Sequence, residues 1–192
     1  SSLWKFSGYH VDENGKAPKR VAGAGKLEYN SRLRSMLWRV GGSLLKAGIR
    51  YYCTKCGEQR PPASETEELK CAKCGGKEFK PKSISKFAEY YHEQKNLYYV
   101  KFYNRGVKIV KASELPKDEE GKRYEPADMI SEGHIHAMAL RKMLKLFLSC
   151  LWQVWRQAEG LPLTEPYAKA KAGHPHVIDP WSMIDKPAKK VG

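Results

Sequence analysis

The sequence predicts a mainly α fold with a small β insertion (α+β), built on two long helices around one core. Three observations carry that reading. Apolar residues recur at three-and-four spacing from Ser31 to Leu45, and again from about Gly133 to Glu159. Between these runs stand two Cys-x-x-Cys-Gly pairs, Cys53/Cys56 and Cys71/Cys74. With 192 residues, 41% hydrophobic and 29% charged, the chain can bury a core, and wholesale disorder is excluded. No run approaches the roughly 20 apolar residues that span a bilayer. The greasiest stretch, Leu144 to Trp155, is broken by Lys145 and Gln153.

Residues 1 to 12 hold Leu3, Trp4, Phe6, Tyr9 and Val11, an apolar segment closed by the turn signal Asp12-Glu13-Asn14-Gly15. A basic, glycine-containing loop follows, with Lys16, Lys19, Arg20, Gly23, Gly25 and Lys26. Backbone amides in such a loop can approach a phosphate, with lysines nearby. It lacks the Gly-Lys-Ser/Thr ending of a Walker loop, and a plain surface loop is the rival reading. The first long helix then presents Leu33, Met36, Leu37, Val40, Leu44 and Leu45 on one face. Asn30 or Ser31 caps its start, Arg32, Arg34 and Arg39 are polar positions, and Gly48 ends it.

Two thiolates separated by two residues grip one face of a metal ion, and Gly57 and Gly75 let the turn amides point at the sulfurs. Two such knuckles complete a tetrahedral sulfur shell, so Cys53, Cys56, Cys71 and Cys74 are expected to hold structural zinc in a zinc ribbon over 51–82. The shell is closed, so the metal is not catalytic. Two disulfides are the rival arrangement; the absence of an export signal favours the metal. The ribbon loop is acidic (Glu58, Glu65, Glu67, Glu68), whereas Lys70, Lys73, Lys77, Lys80 and Lys82 flank the second knuckle. That edge would be the one to meet nucleic acid.

After the ribbon, Ile84, Phe87, Ala88 and Tyr91 share a helical face, and Leu97 to Tyr103 reads as a strand, rich in aromatic and β-branched residues. Its tyrosines either stack on bases or are partly buried core. Residues 111 to 132 read as a polar, exposed connection. In the second long helix, apolar positions from Ile135 to Trp155 surround most of the circumference, which marks the central core helix. His134, Arg141, Lys142 and Lys145 form its polar part, and charges on such a helix imply a partner. Cys150 is a core residue. Gly160-Leu-Pro162 stops the helix, and 161–192 is expected as an extended basic tail docking through Tyr167, Ile178 and Trp181. His174-Pro-His176 is weak evidence for a metal. The organisation is a helical domain from 1–50 and 83–160, interrupted by the ribbon.

The net charge is +14, from 35 Lys+Arg against 21 Asp+Glu, which points to a polyanionic partner, nucleic acid. The first fifty residues carry ten Lys/Arg and three acids, half of that surplus.

Leu3-Trp-Lys-Phe-Ser-Gly8, the glycine loop, Tyr29-Asn-Ser-Arg-Leu-Arg34, Phe87-Ala-Glu-Tyr-Tyr91 and His136-Ala-Met-Ala-Leu-Arg141-Lys142 follow one another in order. This arrangement resembles the C-terminal transposase domain of the bridge-RNA-guided insertion-sequence recombinases, the IS one-ten family. The resemblance covers roughly residues 1 to 50 and 83 to 158, with the ribbon as an insertion. It implies DNA strand exchange through a serine nucleophile that forms a phosphoserine link. It further implies an RNase-H-like domain supplying four acids and Mg2+, a structured guide RNA, and a homo-oligomeric full-length protein. The family's Ser-Lys stretch corresponds here to Lys26-Leu-Glu28-Tyr29-Asn30-Ser31, so Ser31 is the nearest candidate nucleophile and Ser35 the second. Ser31 as a plain helix cap fits as well. Lys19, Arg20, Lys26, Arg32, Arg34, Arg141 and Lys142 would hold nucleic-acid phosphates.

The 192 residues lack the RNase-H-like half and do not begin with Met, so the chain is expected to be a fragment, inactive alone. Its expected setting is the prokaryotic cytoplasm, beside the nucleoid, with no membrane partner. Two rivals remain: a non-enzymatic zinc-ribbon protein that binds nucleic acid in RNA or transcription work, and a zinc-stabilised scaffold for protein contacts.

Overall fold

The structure, a computed structural model, describes residues 2–11, 15–18, 28–47, 49–59, 70–71, 73–83, 85–163 and 178–185. About half of these are helical and the strands are few and short, so the fold is mainly α with a small β part. In chain order the elements are α1 (Ser2–Phe6), α2 (Ser31–Lys46), β1 (Ile49–Cys53), β2 (Phe79–Ser83), α3 (Lys86–Asn104), β3 (Lys108–Val110), β4 (Met129–Ser131) and α4 (Glu132–Ala158). Short 3-10 turns lie at Ala112–Glu114 and Pro180–Met183.

The core forms around α4. Its buried side chains Ile135, Ala139, Leu140, Met143, Leu144, Leu148 and Cys150 recur every one to four residues, and those from Ala139 to Leu148 cluster with Tyr9, Leu37 of α2 and Tyr91 of α3. Each fully buried Leu or Met contributes about 1.5–3 kcal/mol. Helix α2 crosses α4 at Gly41, where an added Cβ would lie 2.9 Å from Leu140 Cδ1 and 3.2 Å from both Leu144 methyls. Asn30 caps α2, its Oδ1 accepting from the Leu33 amide at 2.9 Å, and Ser31 is the first helical residue. Gly48 lies outside the described residues; α2 ends at Lys46, with Ala47 as its cap.

Helix α1 ends in a Schellman turn. The Gly8 amide bonds to Lys5 O and the Tyr9 amide to Trp4 O, with Gly8 at φ 72°. That turn sends Tyr9 into the core, where it is 1% exposed.

The expectation of a strand over Leu97–Tyr103 is corrected: α3 runs unbroken through it, so there is a third long helix. Aromatic and β-branched composition suggested strand, but burial follows helical spacing through Phe87, Tyr91, Gln94 and Tyr98, while Leu97, Val100 and Tyr103 stay exposed. The reading of 111–132 as an exposed connection holds for most of the stretch, but the stretch also contains a strand, β4, and a few buried residues. β3 and β4 pair in parallel, Lys108 opposite Met129, and Leu115 and Ile130 are buried. Strands β1 and β2 pair antiparallel from Ile49/Ser83 to Cys53/Phe79.

Near the C-terminus, residues 178–185 return to α4. Met183 is the buried anchor there, whereas Ile178 and Trp181 are exposed; Tyr167 lies outside the described residues. Asp185 Oδ1 accepts from the Lys86 amide at 2.7 Å, so it satisfies a donor at the start of α3. Among the described residues no helix is long and apolar enough to cross a membrane.

Candidate functional site

The two cysteine pairs have the same local geometry. The Gly57 amide bonds to Cys53 O at 2.9 Å and the Gly75 amide to Cys71 O at 2.8 Å, with φ of 72° and 67°. The first cysteine of each pair donates its amide five residues on, Cys53 to Glu58 O and Cys71 to Gly76 O, both at 2.8 Å. These tight turns aim all four sulfurs at one point, mutually within 4.8 Å. Cys53 and Cys74 sulfurs are 3.5 Å apart, as are those of Cys56 and Cys71. These separations exclude disulfides, and all four cysteines are free. A metal bound tetrahedrally at about 2.3 Å places sulfurs about 3.8 Å apart, so this cluster could hold a metal ion. Gly76 closes one side, where a Cβ would lie 3.0 Å from Cys53 Sγ and 3.3 Å from Cys74 Sγ.

The backbone amides of Cys56 and Lys55 draw the Cys53 thiol down to about 7. At Cys56 the Glu58 amide favours the thiolate, but hydrogen bonding with Cys74, burial, and the Cys71 and Cys53 sulfurs outweigh it and push the thiol up to about 12. Crowded thiolates repel one another, and a divalent cation among them inverts that balance.

The second feature is a cleft of about 330 Å³ between α2, the start of α4 and the segment after α1. Its lining includes Tyr9, Arg34, Trp38, His134, Met138 and Arg141. Arg141 is fixed by the Schellman turn, its Nη2 donating to His10 O at 2.6 Å and its Nη1 to Gly8 O at 3.3 Å. It also stacks over the Tyr9 ring at 5.2 Å. Arg34 Nη1 donates to Pro18 O at 2.9 Å, and its guanidinium covers the Tyr29 ring at 4.9 Å. Gly8 makes this possible, because a Cβ there would meet the Tyr29 ring at 2.7 Å and Arg34 Cδ at 3.2 Å. Burial, and then the charge of Arg34, lower the Arg141 pKa.

On the rim, Glu125 organises the start of α4. Its Oε1 accepts from Ser131 N at 2.9 Å and Ser131 Oγ at 2.6 Å, and its Oε2 pairs with His134 Nδ1 at 2.5 Å. Burial raises the Glu125 pKa, but the bonds from Ser131 and His134 outweigh it and hold the carboxyl below its ordinary value. The ionised carboxylate accepts, so Nδ1 carries the proton.

The structure therefore brings Arg34 and Arg141 together. Ser31 is exposed one helical turn before Arg34, and Arg32 is exposed beside it. Lys142 belongs elsewhere: its Nζ donates to Gln94 Oε1 at 2.9 Å and lies over the Tyr98 ring at 5.2 Å. Lys145 covers Trp4 at 4.7 Å. The partners of the α4 cations thus include backbone carbonyls and aromatic rings. Lys19, Arg20 and Lys26, with His174, His176 and the ribbon glutamates Glu65, Glu67 and Glu68, lie outside the described residues. Lys70, Lys73, Lys77 and Lys80 are exposed beside the second knuckle, with Lys73 3.7 Å from Glu58. Of the tyrosines, Tyr91 is buried and Tyr103 is 81% exposed. Sequence reasoning missed Glu125, Ser131 and Tyr9 as site residues. The pattern Ser131-Glu132-Gly133-His134 carried only a capping signal.

Comparison with protein-family models, curated proteins and solved structures found no match to this chain.

Proposed function

We propose that this chain is the DNA-binding catalytic-half domain of a transposase or recombinase, stabilised by a structural zinc ribbon, that works with an RNase-H-like domain outside these residues. One observation carries the reading. Arg34 and Arg141, from segments more than a hundred residues apart that the family resemblance singles out, line one cleft, and Ser31 precedes Arg34 by one turn on the same side of α2. Ser31 is not among the cleft's lining residues, so the DNA strand would have to run from the cleft to the exposed start of α2, where the guanidiniums would stabilise charge on the phosphorus oxygens. By the resemblance, DNA is the substrate, Mg2+ belongs to the partner domain, and a structured guide RNA and a homo-oligomer complete the machine. Its place is then the cytoplasm, on the nucleoid. The four-sulfur cluster supports zinc through its all-thiolate donor set, and such a closed shell contributes folding energy.

In a full-length context, Ser31→Ala is expected to abolish both strand exchange and the covalent DNA–protein adduct seen on denaturing gels. An undiminished adduct overturns the serine assignment. The exposed lysine edge of the second knuckle favours a second reading, a non-enzymatic zinc-ribbon protein in RNA or transcription work. That reading predicts salt-sensitive binding with no adduct from any serine. For the metal, elemental analysis is expected to find about one zinc per chain, lost in Cys71→Ser together with stability.

A further inference from the structure

The cleft holds a feature that packing alone does not account for. Tyr9 is almost completely buried, lines the cleft, and its hydroxyl has no hydrogen-bond partner among the described residues. A buried orphan hydroxyl is costly, and native structures keep few of them. The two guanidiniums of the cleft are also under-used. Among the described residues Arg34 spends one of its five N–H donors, on Pro18 O, and Arg141 bonds Gly8 and His10 through its two terminal nitrogens, leaving Nε–H. Among the described residues neither has a carboxylate within salt-bridge distance. Burial raises the Tyr9 pKa, and the charges of Arg141 and Arg34 oppose it, so both guanidiniums act on the phenol. Two forked cations and a neutral O–H donor match a tetrahedral oxyanion better than a flat carboxylate. Trp38 supplies a neighbouring wall, 44% exposed, suited to a base or sugar.

We propose that this cleft is a subsite for a single phosphate group of a nucleotide strand, held by Arg34 and Arg141, with the Tyr9 hydroxyl as third donor and Trp38 against the adjoining nucleoside. The inference deepens the nucleic-acid reading and rests on it for the source of the phosphate. Arg141 also ties α1 to α4, so its removal threatens the fold. Arg34 and Tyr9 are the informative positions.

The experiment titrates the chain with inorganic phosphate, at ionic strength matched with chloride, and follows tryptophan fluorescence and thermal stability. In parallel, a fluorescent single-stranded DNA is titrated by anisotropy. Saturable quenching that Trp38→Phe removes is expected, with a rise in Tm that chloride does not reproduce. Arg34→Gln is expected to weaken phosphate at least tenfold. Tyr9→Phe is expected to weaken it several-fold with unfolding stability unchanged or raised, since only an orphan hydroxyl is lost. DNA affinity should fall in both variants, and phosphate should compete. If DNA binds but phosphate gives no Trp38 signal and both variants bind DNA as the parent does, the subsite is overturned and the nucleic-acid reading survives. If phosphate saturates the cleft with the expected variant losses but DNA does not bind, the subsite stands for a small phosphoester and the nucleic-acid reading falls. A Tyr9→Phe variant with unchanged phosphate affinity removes the tyrosine from the site.

Discussion

Replacing Gly8 by alanine tests how the N-terminal segment is locked. Gly8 has φ 72°, as the C′ position of a Schellman turn requires. An alanine there costs about 1–2 kcal/mol for the left-handed backbone, partly offset by about 0.4–1 kcal/mol through the less flexible unfolded chain. Gly106 and Gly160 close α3 and α4 with the same motif, at φ 70° and 64°, and nothing lies within 4 Å of their missing Cβ atoms. Those two sites measure the backbone cost alone. At Gly8 the new methyl would lie 2.7 and 2.8 Å from Tyr29 ring atoms and 3.2 Å from Arg34 Cδ. A ring yields poorly, and such overpacking adds roughly 1–3 kcal/mol. Gly8→Ala is therefore expected to lose about 2–4 kcal/mol, against about 1 kcal/mol or less for Gly106→Ala and Gly160→Ala. Urea denaturation followed by circular dichroism reads all three. If the Gly8 and Gly106 losses agree within about 0.5 kcal/mol, the seating of Tyr29 on Gly8 is refuted.

Asp185→Ala should cost about 0.5–2 kcal/mol, the value of a helix-start acceptor, and raise amide exchange at Lys86; unchanged exchange there removes Asp185 from that role. Stability should fall as pH drops below about 6.5 through His136. Its Nδ1 is hydrogen-bonded to Tyr91 Oη at 2.6 Å, and burial, then Lys95, lower its pKa from 6.5. In that window the unfolded chain binds more protons, so stability rises with pH, and His136→Gln should flatten the slope of urea midpoints between pH 7 and 5.5. Gly76→Ala should weaken metal retention in a chelator competition, because its Cβ would press on the Cys53 and Cys74 sulfurs; parental retention would show that the cluster has room to spare.

What could be read from the sequence was local. The cysteine pairs were legible because two-residue spacing and a following glycine fix the knuckle by themselves. Helices α2 and α4 were legible because their periodicity runs over four or more turns. The second half of α3 was not, since its Tyr, Val and Phe content favours strand by composition, and only the burial of Tyr91 and Tyr98 against α4 decides for helix. The cleft was half legible. Arg34 and Arg141 stood out as cations, but the bonds from Arg141 to Gly8 and His10 span more than 130 residues, beyond any local pattern. Glu125 was missed for a different reason: its bonds to Ser131 and His134 span only six and nine residues, but they depend on how the turn before β4 folds back on the start of α4.

The neck of the cysteine-bearing segment is one residue pair wide. Ile49 faces Ser83 across the β1–β2 ladder, so the chain leaves the helical body and returns to it at a separation of about 5 Å. A segment tethered in this way is topologically portable. It can be gained, lost or lengthened at its tip without rerouting α2 or α3. A linker of a few residues in its place should therefore leave the helical scaffold folded, and would separate what the sulfur centre does for recognition from what it does for stability.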